Sequence, residues 1–68
     1  MNIRKAAQEK GHTVIGKLRR IHDYVDYSSF DNEEVGRSRV WIDDAENEYW
    51  IDVKRGGLCI VTFDGGVI

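Results

Sequence analysis

Cys59, His12, His22 and a scatter of carboxylates are the side chains in this sequence with chemistry to offer. A cysteine nucleophile needs a base within hydrogen-bond reach, and only the two histidines supply one. Cys59 stands in the apolar run Leu58-Cys59-Ile60-Val61. Free cysteine is among the most buried residue types, so a core thiol is expected. His12, His22 and Cys59 could be grouped with Asp23 or Asp26 as metal ligands. Structural zinc spacings are absent, with no Cys-x-x-Cys pair and no His-x-x-x-His. Asp23, Asp26 and Asp31 do not match a calcium loop, which needs a central glycine and a closing glutamate. Asp43 and Asp44 sit in a turn-rich stretch, where acids are common for conformational reasons. Neither Gly56-Gly57 nor Gly65-Gly66 leads to a Walker lysine, so phosphate cradling is not expected. The reading is a protein with no enzyme activity, no metal and no cofactor.

A second group of residues could bind rather than react. Arg4, Lys5, Lys17, Arg19, Arg20, Arg37 and Arg39, with Trp41, are the candidates for binding a partner or a nucleic acid. The formal net charge of -2 conceals a division along the chain. Residues 1–22 carry six cations against Glu9 alone, and residues 23–53 carry ten acids against Arg37 and Arg39. Such asymmetry steers a charged partner, or it is satisfied inside the fold with the basic element beside the acidic one. The internal arrangement is favoured. The expected partner is another protein or a second copy of the chain. Nucleic acid is the alternative, because the cations of the N-terminal third would bind phosphates if they shared a face.

The elements that must position these residues centre on Val40 to Val61. Val40-Trp41-Ile42, Tyr49 to Val53 and Leu58 to Val61 read as successive strands of a meander. Asp43 to Glu48 makes the first turn, with Asn47 expected at positive φ. Gly56-Gly57 makes the second. Trp41 and Trp50 are expected on the second face of the sheet, which needs cover. Asp64-Gly65-Gly66 turns the chain into a terminal stub, Val67-Ile68, expected as a strand or plug.

Ahead of the meander, Asn2 to Lys10 reads as a helix, with Asn2 as N-cap and Gly11 ending it. His12 to Ile21 is ambiguous. Val14, Ile15, Leu18 and Ile21 recur at helical spacing, but Thr13-Val14-Ile15 and Gly16 favour an extended chain. The strand is preferred. Asp23 to Ser38 reads as a long acidic connection, anchored to the core by Tyr24, Val25, Tyr27 and Phe30. Asp31 with Glu34 has capping-box spacing for one helical turn there. Long connections are often functional, so this is the first place to expect a binding segment.

The fold class is therefore α+β: a short N-terminal helix packed on an antiparallel sheet of three to five strands. If residues 13–25 were helical, the chain would instead look like a minimal winged helix, although the apolar residues after Gly11 fall in the wrong register for one. With 68 residues the chain is a single small domain, burying only about 60% of its unfolded surface. No apolar run approaches the roughly 20 residues of a membrane helix, and no signal sequence opens the chain. A cytoplasmic setting is expected, and one cysteine makes no internal disulfide. In size the chain resembles accessory proteins of phages and mobile elements.

Overall fold

A computed structural model describes residues 1–68. The fold is α+β. Helix α1 (Ile3–Glu9) is followed by strands β1 (Arg19–Tyr27), β2 (Glu34–Ile42), β3 (Glu48–Asp52) and β4 (Leu58–Val61). The four strands form one antiparallel sheet in the order β1-β2-β3-β4.

The helix forms where its caps allow. The Asn2 side chain accepts the Lys5 amide at 3.2 Å, and Gly11 at φ +82° stops the helix. The Gly11 amide donates to the Gln8 carbonyl and that of His12 to the Ala7 carbonyl. Seven residues do not hold a helix in water unaided. Burial of Ile3 and Ala7 against Val14, Tyr49 and Ile60 supplies the missing stability.

Residues 12–18 are neither helix nor ladder. Their backbone groups are taken by the turn between β2 and β3. The Ile15 amide donates to Asp43 Oδ2 at 3.1 Å, the Asp44 amide to the Ile15 carbonyl at 2.9 Å, and the Lys17 amide to Asp44 Oδ2 at 3.2 Å. Gly16, at φ +68°, makes the bend. The strand expected over residues 13–21 therefore begins only at Arg19. The winged-helix alternative lacks its second helix.

Gly16 yields a direct prediction. A Cβ there would lie 1.9 Å from Asp44 Oδ2, in a backbone region L-residues avoid. Asp44 could swing away only by releasing the Lys17 amide. Gly16→Ala is expected to cost about 1–3 kcal/mol in urea unfolding, whereas Gly57→Ala, with open space around it, should change little.

The acidic connection is mostly sheet. β1 continues through Tyr27 and β2 starts at Glu34, so only Ser28 to Glu33 turn the chain. Asn32 adopts φ 58°, the Ser28 amide donates to the Glu33 carbonyl at 2.8 Å, and Asp31 accepts the Glu33 amide at 3.1 Å. The helical turn expected at Asp31–Glu34 does not form. The extended form wins because Tyr24, Val25 and Tyr27 are β-formers that find partners across the hairpin, in Ser38, Arg37 and Glu34.

Register decides the faces. Trp41 pairs with Tyr49, and Tyr49 with Ile60, on the face that α1 covers. Val40 pairs with Trp50, and Trp50 with Cys59, on the open face. The two tryptophans thus point to opposite sides of the sheet, not to one shared second face. On the open face, Tyr24 and Trp50 lie with ring centroids 5.0 Å apart, and Val40 is fully buried. Cys59 is exposed there rather than buried, because its neighbour Ile60 takes the core-facing position.

In the turn between β2 and β3, Glu46 rather than Asn47 takes the positive φ, at 63°. Asn47 is buried instead, with its amide side chain bonded to Asp43 Oδ2 and its carbonyl oxygen accepting the Phe63 amide. The terminal stub does join the sheet. Ile68 exchanges both backbone hydrogen bonds with Ile60, and Val67 bridges Val61. One edge of the sheet is thereby partly covered, and β1 forms the other.

Candidate interaction surface

β1 and β2 are nine residues each, whereas β3 has five and β4 four. β3 pairs with β2 only from Ser38 to Ile42. The hairpin from Val25 to Arg37 therefore runs on beyond the core as a two-stranded arm, and the molecule measures 40 × 21 × 20 Å. Two irregularities shape it. Ile21 and His22 together oppose the single position at Val40, and Val35 is extra between the Asp26–Gly36 and Tyr27–Glu34 pairs. Bulges of this kind raise local twist and re-aim side chains.

The arm displays apolar side chains instead of anchoring them. Phe30, at the tip, is 97% exposed, and Tyr27 is 59% exposed. Tyr24, Val35 and Val53 are also exposed. At the base of the arm a depression of about 370 Å³ is lined by Glu34, Val35, Gly36, Arg37, Val53 and Lys54. Of these residues only Arg37 was among the candidates read from the sequence, and Tyr24, Tyr27, Phe30, Val35 and Val53 were not. Their signal was the aromatic and β-branched content of a segment too long for a passive loop.

Of the proposed cations, Arg20, Arg37 and Arg39 share one face of the sheet with Trp41, and Arg19 lies on the other. Arg37 donates from Nε and Nη2 to Glu34, at 2.8 and 3.2 Å, and from Nη1 to Asp23 at 3.0 Å. The hydrogen bonds to Glu34, then to Asp23, raise the Arg37 pKa further above its ordinary value. Arg20 donates to Asp23 and lies 5.8 Å over the Trp41 ring. Arg20 first, then Arg37, hold the Asp23 carboxyl below its usual range, and Arg37 does the same for Glu34. Trp41 itself is half-buried against the core. Arg39 shares this face, exposed and in register with Asp23. Arg19 opens β1 opposite Ile42 on the other face. Arg4 donates to the Gly16 carbonyl, while Lys5 and Lys17 are exposed near the helix. The internal charge arrangement thus holds for Arg20 and Arg37. Lys5, Lys17, Arg19 and Arg39 make no ion pair.

One buried polar cluster lies under α1. Asp43 Oδ2 accepts from Tyr49 Oη at 2.7 Å, from Asn47 Nδ2 at 3.0 Å and from the Ile15 amide. Oδ1 accepts the amides of Ala45 and Asn47, both at 2.9 Å. His12 Nε2 completes the chain at 2.9 Å from Tyr49 Oη. With the phenol donating to Asp43, the imidazole must donate to the phenol oxygen. Burial pushes the Asp43 carboxyl up, but the hydrogen bonds from Asn47, Ile15 and Tyr49 outweigh it and bring it down to about 2. Burial, and then the Asp43 carboxylate, push the Tyr49 phenol upward. The cluster ties residues 12–15 to the β2–β3 turn, and its role follows from that position.

His12, His22 and Cys59 do not come together with carboxylates in any group of three that could hold a metal ion. No helix is long and apolar enough to cross a membrane. No protein-family description, curated protein or solved structure matches this chain.

Proposed function

We propose that this protein is a non-catalytic interaction module whose contact element is the β1–β2 arm, and that its partner is a protein. The observation that carries this reading is the set of exposed apolar side chains, Tyr27, Phe30 and Val35, on a hairpin that leaves the core, with exposed Tyr24 at its base. Exposed aromatics clustered on one projecting element are costly to solvate and typical of contact residues. Neutralisation of Arg20 and Arg37 by Asp23 and Glu34 leaves few cations near the arm for phosphates. A cytoplasmic setting belongs to the same reading and rests on the exposed, unpaired thiol of Cys59. An accessory role in a phage or mobile element rests on chain size alone.

A photoreactive benzoylphenylalanine at position 30, with position 9 as control, tests the proposal. Position 30 should yield adducts that protease removes and nuclease leaves intact, and position 9 should yield few. Nuclease-sensitive adducts, or equal labelling from both positions, overturn it. In parallel, duplex DNA and single-stranded RNA should bind no tighter than tens of micromolar at ~50 mM salt. Micromolar binding that collapses at ~200 mM would favour the nucleic-acid alternative.

A further inference from the structure

The structure assigns the outer edge of β1 to a second copy of this chain, paired antiparallel about a two-fold axis near Asp23; this deepens the interaction-module reading and rests on it. The edge is long, at nine residues, and carries no lysine or proline. β4, the opposite edge strand, has Val67 and Ile68 against it. Edges are usually defended by charge that repels a copy, and by bulges. The charge on β1 does not work that way. Its first half is basic, Arg19 and Arg20, and its second half acidic, Asp23 and Asp26. A parallel in-register copy would set like against like. An antiparallel copy sets opposite against opposite.

The ladder register makes this specific. Arg19 stands opposite Ile42 and Asp26 opposite Gly36, with Asp23 opposite Arg39 midway between them. Ile42 and Gly36 are an even number of residues apart on β2, so Arg19 and Asp26 share the open face. A two-fold axis normal to the sheet at Asp23 keeps each face on its own side. It brings Arg19 of one copy against Asp26 of the other, twice. The two Asp23 carboxylates at the centre are already compensated, each by Arg20 and Arg37 of its own chain. Neither Arg19 nor Asp26 has an ion pair of its own to lose. The bulge at Ile21-His22 falls opposite Tyr24 of the copy, so exposed apolar groups meet beside the axis.

Charge reversal tests the pairing without touching the core. Sedimentation equilibrium at tens of micromolar should return twice the 7.8 kDa chain mass. Arg19→Glu and Asp26→Arg, singly, should each weaken dimerisation about tenfold or more, because reversal turns two cross-strand attractions into two repulsions. The Arg19→Glu/Asp26→Arg double variant, or a mixture of the two single variants, should recover the dimer. A wild type monomeric at ~100 µM overturns the inference. So does a dimer indifferent to the single reversals, or one the double variant fails to restore. The two readings fail separately: protein adducts from position 30 in a monomeric wild type would sustain the arm reading while overturning the β1 pairing.

Discussion

Asp43→Ala should lower the free energy of unfolding by about 3–5 kcal/mol, as read from the urea midpoint at constant m-value. The carboxylate is fully buried and accepts five hydrogen bonds, from Ile15, Ala45, Tyr49 and twice from Asn47. Alanine removes every acceptor at once, and a buried donor left unpaired costs about 1–3 kcal/mol. Some donors will find water, which keeps the total below the simple sum. A small domain has only ~5–15 kcal/mol to lose, so part of the variant population should be unfolded at 25 °C. Asp43→Asn keeps the shape but presents a donor where acceptors are needed, and should fall between the two.

The same carboxylate sets an acid limit. Its folded pKa is lowered to about 2, whereas an aspartate in the unfolded chain titrates near ~3.9. On acidification the unfolded chain takes up its proton first, so the equilibrium moves toward unfolding. The stabilisation, about 2–3 kcal/mol, is complete above about pH 5 and is lost as pH falls toward 2. The urea midpoint of the wild type should drop across this window. Asp43→Asn should show a shallower drop. Some slope will remain, because Asp23, Glu34 and Asp64 are also held below their ordinary values and act in the same direction.

Tyr49→Ala is expected to cost about 3–5 kcal/mol. Tyr49 is the largest fully buried side chain and sits between Trp41 and Ile60 on the covered face. Removing its ring opens a cavity under Ile3 and Ala7 and frees α1, which is too short to persist alone. Tyr49→Phe separates ring from hydroxyl. It retains the packing and loses only the link between His12 and Asp43, for about 1–2 kcal/mol. If Tyr49→Phe proved as damaging as Tyr49→Ala, the hydroxyl network rather than α1 packing would hold this end of the molecule. Loss of helical circular dichroism in Tyr49→Ala alone would locate the defect at α1.

Local chemistry was sufficient for much of the fold. Asn2 and Gly11 bound the helix because capping and positive φ depend on immediate neighbours. The strands from Val40 to Val61 and the Gly56 turn were legible for the same reason: alternation and turn residues act over a few positions. The terminal Val67-Ile68 stub, expected as a strand or plug from its β-branched residues, joins β4 through a single bridge at Val67.

What required tertiary structure was everything set by partners distant in sequence. That Thr13 to Leu18 would be neither strand nor helix depended on Asp43 and Asp44, 27 or more residues away, which take the Ile15 and Lys17 amides. The side of the sheet that Trp41, Trp50 and Cys59 face depended on the β2–β3 register and on where α1 lands. The acidic composition of Asp23 to Ser38 hid a hairpin, in which Asp23 and Glu34 are paired with Arg20 and Arg37, and Arg37 reaches Asp23 across the strands. Composition counts those charges, but only the pairing of β1 with β2 decides that Arg37 belongs to the fold while Arg19 and the aromatics of the arm are left facing outward.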